Sequence, residues 1–382
     1  MATILVGTWA VRYPLGGVLS WTLQWIIGFA RVGHRVFLLE KSEYPGSCFD
    51  PVRRVMSDDC SYGVRAVNDL LAQYGLSSHW CYADAKSQYH GLSEQEVESV
   101  FRSADVFVDI GSHGAWLPEA RAAGLPAVLV DGEPGYTQMK MEKLQETGKQ
   151  LPEYDHYYTV GLNVGLPGCT VPTAGKEWHT ILEPAVVDLF SCGPAPSGAP
   201  FTTLMNWQSH AVFEYEGKSY GQKDVEFEKF LTLPSLTAVP LEVSLEGPRQ
   251  AHDRLMEHGW RVTQAHETSA SFDSFQQYVQ QSRGEFSVCK NVFVETKGGC
   301  FSDRSVAYLA SGRPVVLQDT GFSEHLPCGR GLFAVHTMDE AAAAIEQIVR
   351  DYERHSKWAR ELASEHFGAS RVLQNFLDGL GL

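Results

Sequence analysis

Short apolar runs without strict alternation recur along the whole chain, each followed by turn residues and then by helical spacing. This rhythm constrains the fold more than any other feature, because such runs suit strands of a parallel sheet covered on both faces. The first forty residues set the unit. Residues 3–7 form an apolar run, Pro14-Leu15-Gly16-Gly17 breaks it, residues 18–32 are apolar on almost every helical face, and residues 35–40 are apolar again. Gly33 and His34 supply the helix stop. The result is a βαβ unit whose helix is expected to be covered on two sides.

Further runs at 105–110, 127–131 and 157–161, with helical stretches near 64–73 and 94–103, extend this first sheet. The second half repeats the pattern. Strands are expected at 202–206, 239–243, 260–263, 285–288, 314–318 and 332–335, with helices near 224–231, 248–258, 271–282 and 302–310. Residues 191–200, rich in Gly, Pro and Ser, lack apolar periodicity and read as a linker between independently packed cores. The expected fold class is therefore α/β: two Rossmann-like, doubly wound domains facing across a cleft, residues 1–190 and 201–365. A terminal helix within 366–382 is expected to cross back to the first domain.

With 31 Lys and Arg against 46 Asp and Glu, the formal charge of -15 repels polyphosphate and anionic lipid, so no nucleic-acid partner is expected. None of the eight cysteines forms a CxxC or stands near His at zinc-finger spacing, which supports neither a metal site nor a disulfide framework. The pairs Asp155-His156 and His179-Thr180 have no third ligand at recognisable spacing. The N-terminus lacks the pattern of a secretory signal, and no apolar run is long enough to span a membrane, so a cytoplasmic location with reduced cysteines is expected.

In facing α/β domains a ligand sits beyond the carboxyl ends of the strands. The loops to inspect are 8–17, 111–114 and 131–135 in the first half, and 207–209, 265–268, 296–305 and 319–321 in the second. The strongest local signal is Gly298-Gly299-Cys300-Phe301-Ser302-Asp303-Arg304-Ser305, a glycine turn feeding a helix. Free N–H groups and the dipole at such a helix start favour a diphosphate, and Arg304 adds a bidentate donor. The plainer alternative makes Ser302 or Asp303 only an N-cap. Lys223, before the first helix of the second half, could reach a phosphate as a point charge, or be a solvated loop lysine.

These residues, with the helix ending Leu309-Ala310-Ser311-Gly312-Arg313-Pro314 and then Gln318-Asp319-Thr320-Gly321, resemble the donor-binding half of GT-B glycosyltransferases. The Gly16-Gly17 loop and the helix after it are similar to the first half of that architecture. The resemblance implies a glycosyltransferase that moves a sugar from a nucleoside diphosphate sugar to a hydroxyl-bearing acceptor, a small molecule or a glycan. It implies no cofactor beyond the nucleotide-sugar co-substrate, held by Gly16, Gly17, Lys223, Ser302, Asp303, Arg304, Ser305, Asp319, Thr320 and Gly321. Trp207, His266 and Phe286 are candidates to wall the base, against the alternative of core packing. An inverting reaction wants a base in the first domain, and Asp131, His113 and Glu133 stand at strand ends, with Asp131 first. No Asp-x-Asp stands at a strand end, so no divalent metal is expected in the transfer.

Two departures leave the stereochemical course open. Ala307 stands where retaining families with two glutamates carry the second, and residues 9–14 lack the His that many natural-product glycosyltransferases use as base. Three rivals share the pattern: a sugar-nucleotide epimerase, a non-catalytic sugar-nucleotide-binding partner of another transferase, and a dehydrogenase. The last would show GxGxxG after the first strand, which this chain lacks.

Overall fold

The computed structural model describes residues 1–42 and 44–382. Its first sheet comprises β1 (Thr3–Gly7), β2 (Arg35–Lys41), β3 (Trp80–Ala83), β4 (Tyr89–Gly91), β5 (Val106–Asp109), β6 (Ala127–Asp131), β7 (His156–Thr159) and β8 (Trp178–Thr180). The order is β8-β7-β6-β5-β1-β2-β3-β4, parallel except for the β3-β4 edge hairpin. The second sheet comprises β9 (Phe201–Asn206), β10 (Leu241–Glu246), β11 (Arg261–Gln264), β12 (Gly284–Ser287), β13 (Val315–Gln318) and β14 (Leu332–Val335). It is fully parallel, in the order β11-β10-β9-β12-β13-β14.

In each sheet the chain order reverses direction beside the first strand, between β5 and β1 and between β12 and β9. Those are the positions where loops diverge to opposite faces and open a crevice. Sequence periodicity identified most of these strands but not β3, β4 or β8, each only three or four residues long. The second half also departs from expectation at 224–231, where a helix at Lys223–Phe227 tightens at once into a 3-10 turn at Glu228–Phe230.

The outer face of each sheet has its own apolar layer. Phe37, Phe107 and Trp116 belong to the one on the first sheet, and Phe201, Phe227 and Trp260 to the one on the second. Between the sheets, however, one continuous cluster draws on both halves, from Ile4 and Trp25 to Tyr308 and Leu317. The expectation of independently packed cores fails here, because helices of both halves bury their apolar faces against each other.

Helix α1 (Gly16–Arg31) lies in this central layer. It packs on the terminal helix α3 (Ala369–Leu380), where Phe376 meets Trp25 and Phe29 with ring centroids 6.2 Å apart in each case. Gly28 permits the approach, since a Cβ there would fall 2.5 Å from Leu373 Cδ1. No described helix is long and apolar enough to cross a membrane.

Candidate active site

A cavity of about 640 Å³ lies between the carboxyl ends of the two sheets, within the size range of ligand sites. Tyr13, Leu15 and Gly17 line it from the loop after β1, and Gly132 and Glu133 from the loop after β6. Opposite stand Asn206 at the end of β9 and Ser209 beyond it, Cys289 and Lys290 beyond β12, and the start of helix α2 (Asp303–Ala310). No side chain caps the N-terminus of α1, and a Cβ on Gly17 would meet nothing within 4 Å, so its backbone faces open space.

The cations of the cavity differ in their partners. Arg304 is held in place: its Nε donates to Glu285 Oε1 at 2.5 Å, its Nη2 to Ser287 Oγ at 2.9 Å and its Nη1 to the Leu204 carbonyl at 3.3 Å. Glu285 is wholly buried on β12, so the pair is a fixed, largely neutralised fork. Lys290 pairs with Glu133 and Arg54 with Glu246. Half-buried Lys223, at the start of its short helix, makes no hydrogen bond or ion pair among the described residues. Burial, then the charge of Arg304, lowers its ammonium to about 7. A half-buried cation with no ion-pair partner is a ready partner for an anionic ligand.

Besides Glu133 and Glu246, two carboxyl groups face the cavity. Glu183, in the loop after β8, accepts from Trp21 Nε1 at 3.0 Å, and Asp303 opens α2. Burial and then the charge of Asp303 push Glu183 well above the usual carboxylate range, and burial raises Asp303 as well. Such mutual repulsion favours a proton held within the pair at neutral pH. Glu183 escaped sequence reading because β8 carries no apolar run to mark a strand end; only an isolated acid between apolar Ile181-Leu182 and Pro184 hinted at it.

Of the three proposed bases, only Glu133 lines the cavity. Burial works to raise its carboxyl, but the hydrogen bond from His210 and the charge of Lys290 outweigh this and hold it down at about 2. That is too weak a base for a sugar hydroxyl. Asp131 is 3% exposed and accepts from Glu133 N, Gln138 Nε2 and Thr159 Oγ1, which makes it the anchor of a turn and not a cleft group. His113 is exposed outside the cavity, because Asp109 folds its loop back by accepting from Gly111, Ser112 and Gly114 N–H groups.

The expected donor contacts divide in the same way. Gly17, Lys223, His266, Ser302, Asp303 and Arg304 line the cavity. His266 presents a buried Nδ1 with no partner, and Ser302 caps α2 through the Arg304 N–H. Gly16 does not line the cavity: its N–H donates to the Ser269 carbonyl, and a Cβ would clash with Ser271, so it serves contact between the halves. Trp207 and Phe286 are core residues beneath the second sheet, not walls for a base. Ser305 is fully buried and does not line the cavity.

Asp319, Thr320 and Gly321 form a turn at the junction of the halves. Asp319 accepts from Gly321 N and Ser323 Oγ, Thr320 donates to the Cys300 carbonyl, and the Gly321 carbonyl accepts from Asn163 Nδ2. The Gly298-Gly299 turn likewise docks on residues 161–163, and Gly299, at φ 76°, has the Asn163 N where a Cβ would sit. The glycines permit an approach of two chain segments and do not cradle phosphate.

No family model matches the chain, and no curated protein matches it. Solved structures do. HepE from Anabaena, in a complex with UDP and glucose, superposes over 100% of both chains with a TM-score of 0.57 at 12% identity. An α-glucosyltransferase in complex with UDP and a 13-mer DNA gives 0.59 over 100% of both at 10% identity. AviGT4, a glycosyltransferase involved in avilamycin A biosynthesis, gives 0.59 at 12% identity, over 99% of this chain and 97% of its own. The chain therefore has the two-domain, GT-B-like fold of these glycosyltransferases along its whole length.

Proposed function

We propose that this protein transfers a sugar from a nucleoside diphosphate sugar to a hydroxyl-bearing small molecule or glycan. The observation that carries this reading is Lys223, a cation with no ion-pair partner among the described residues, standing with Arg304 in an interdomain cavity of about 640 Å³. The fold likeness to UDP-bound glycosyltransferases supports it. Lys223, the remaining N–H groups of Arg304 and the uncapped start of α1 would receive the diphosphate. As the glycosidic bond breaks, negative charge grows on the leaving diphosphate, and preorganised positive groups lower that barrier. Because the chain itself supplies them, turnover should persist when magnesium and manganese are omitted.

Glu183 replaces Asp131 as the group assigned to take the acceptor hydroxyl's proton. It belongs to the half opposite Lys223 and faces the cavity; its carboxyl, raised to about 8, acts in the ionised form, so the base-dependent rate should rise with pH up to about 8. A net charge of -15 argues against a DNA acceptor. The test is calorimetric titration with UDP and UDP-glucose, followed by UDP release with a panel of hydroxylated acceptors. Binding with acceptor-dependent release is the expected result. No binding of any nucleoside diphosphate would overturn the reading, and epimerised donor without acceptor would replace it with an epimerase.

A further inference from the structure

We infer that Cys60, Asp84 and His90 form a zinc-binding site at the edge of the first sheet, outside the lining of the cavity and independent of the transferase reading. Cys60 stands at the N-terminus of the helix Ser61–Ala72, Asp84 directly follows β3, and His90 lies on β4. Their ligand atoms all lie within 4.8 Å of one another. Cys60 Sγ is 3.5 Å from His90 Nε2, and Asp84 Oδ2 is 3.5 Å from the same nitrogen.

The shared nitrogen separates a metal site from a hydrogen-bonded relay. In a Cys-His-Asp relay the thiol and the carboxylate use opposite ring nitrogens. Here both converge on Nε2, which has one proton at most and cannot satisfy both. Three donors aimed at one point is what a cation requires. Zinc–sulfur bonds of about 2.3 Å and zinc–nitrogen or zinc–oxygen bonds of about 2.0–2.2 Å, at tetrahedral angles, place sulfur about 3.6 Å and oxygen about 3.4 Å from the nitrogen. The two observed separations from the nitrogen agree.

The surroundings fix the donors. Asp84 Oδ1 accepts the N–H groups of Lys86 at 2.8 Å and Gln88 at 2.9 Å, which turns Oδ2 toward the cluster. The His90 ring stacks on buried Tyr82 at 6.0 Å and 25°. A set of thiolate, imidazole and carboxylate selects zinc over magnesium or calcium, and thiolate plus carboxylate balance its charge. The side chains of His90 and Asp84 are 21% and 14% exposed, so solvent reaches the fourth position. Burial keeps the free Cys60 thiol protonated, raised to about 11, so binding expels that proton to solvent. The site eluded spacing rules because its ligands come from a helix cap, a loop and an edge strand, the second 24 positions after the first and the third six positions after the second.

The test uses the full chain, stripped with chelator and titrated with zinc or cobalt(II). One equivalent of zinc is expected, with an upward shift of the thermal midpoint and a thiolate-to-cobalt charge-transfer band in the visible or near-ultraviolet spectrum. His90→Gln, at a partly exposed position, should weaken zinc by more than the ~10–100-fold that loss of an outer-shell partner costs, and Cys60→Ser should abolish the thiolate band. No stoichiometric uptake, a cobalt complex without that band, or undiminished affinity in His90→Gln would overturn the assignment. His90→Gln keeps the test decisive if Cys60→Ser fails to fold.

Discussion

Lys223 and Arg304 are both cleft cations, yet their removal should have opposite consequences for the fold. Lys223→Ala orphans no partner, so the thermal midpoint should hold or rise while the affinity for UDP-glucose falls by about tenfold or more, the loss of a charge-assisted contact in a dry site. Arg304→Ala strands the buried Glu285 carboxylate, and an uncompensated buried charge costs about 3–5 kcal/mol; chemical denaturation should show a loss of that order. A pH titration separates the two cations further. The free Lys223 ammonium titrates near 7, among Arg304, Cys289, Glu285 and Lys290, and a bound diphosphate raises it. Affinity for UDP-glucose should therefore be flat below about pH 7 and decline above it, as binding takes up a proton, and Lys223→Ala should remove the decline. The side chain of Arg304 was legible in the sequence as a phosphate candidate, but Glu285 and Ser287, nineteen and seventeen positions earlier, were not. A one-dimensional pattern gives the charge and not what neutralises it. Asp131 was misread for the same reason: a carboxylate ending a strand looks identical whether it faces a cleft or takes hydrogen bonds from its own turn, the next helix and the neighbouring strand.

At the scale of elements, the decisive pairing is the loop after β8 against the start of α2, which brings Glu183 to Asp303. The folded-state Glu183 carboxyl lies above its unfolded value, so the folded protein retains a proton that the unfolded chain releases. The associated stability is complete below the unfolded pKa and is lost as pH rises through the folded one. Glu183→Gln should flatten that decline and raise the thermal midpoint on the alkaline side. If Glu183 accepts the acceptor proton, the same variant should cut kcat by about 10²–10⁴ and leave UDP affinity within about threefold. A more stable protein that turns over slowly is the signature of a strained catalytic group; near-normal turnover would return the base to an open question. Long elements were readable, since α1 and the apolar strands declare themselves by periodicity. The three-residue β8 did not, and with it Glu183 was hidden. The glycines at 298 and 299 were visible as a turn, but the sequence could not show that the atom filling the space of a side chain at Gly299 is the backbone nitrogen of Asn163 and not a phosphate.

For the whole molecule, the linker at 191–200 suggested two bodies free to fold alone, whereas the central apolar layer belongs to both. Arg313 ties the linker itself down, donating through Nη1 to the Gly193 carbonyl and through Nη2 to the Gln280 carbonyl. The terminal helix α3 then returns to α1 and Tyr158, so the chain's last element completes the first half. Cleaving this arrangement at the linker would expose apolar side chains of the central layer on both pieces, and at about 25 cal/mol for each Å² of apolar surface that exposure is unaffordable for either. Thermal unfolding should accordingly be one cooperative transition, with calorimetric and van't Hoff enthalpies in agreement, although two-domain chains commonly unfold in steps. UDP-glucose, bound across the cavity, should move that single transition upward as a unit, by a free energy of about 2.7 kcal/mol at a hundredfold excess over Kd. Two resolved transitions, with only the later half responding to UDP-glucose, would show that the halves are held together more weakly than their shared core implies. In that case the cavity would be assembled by the donor, where the structure has it already built.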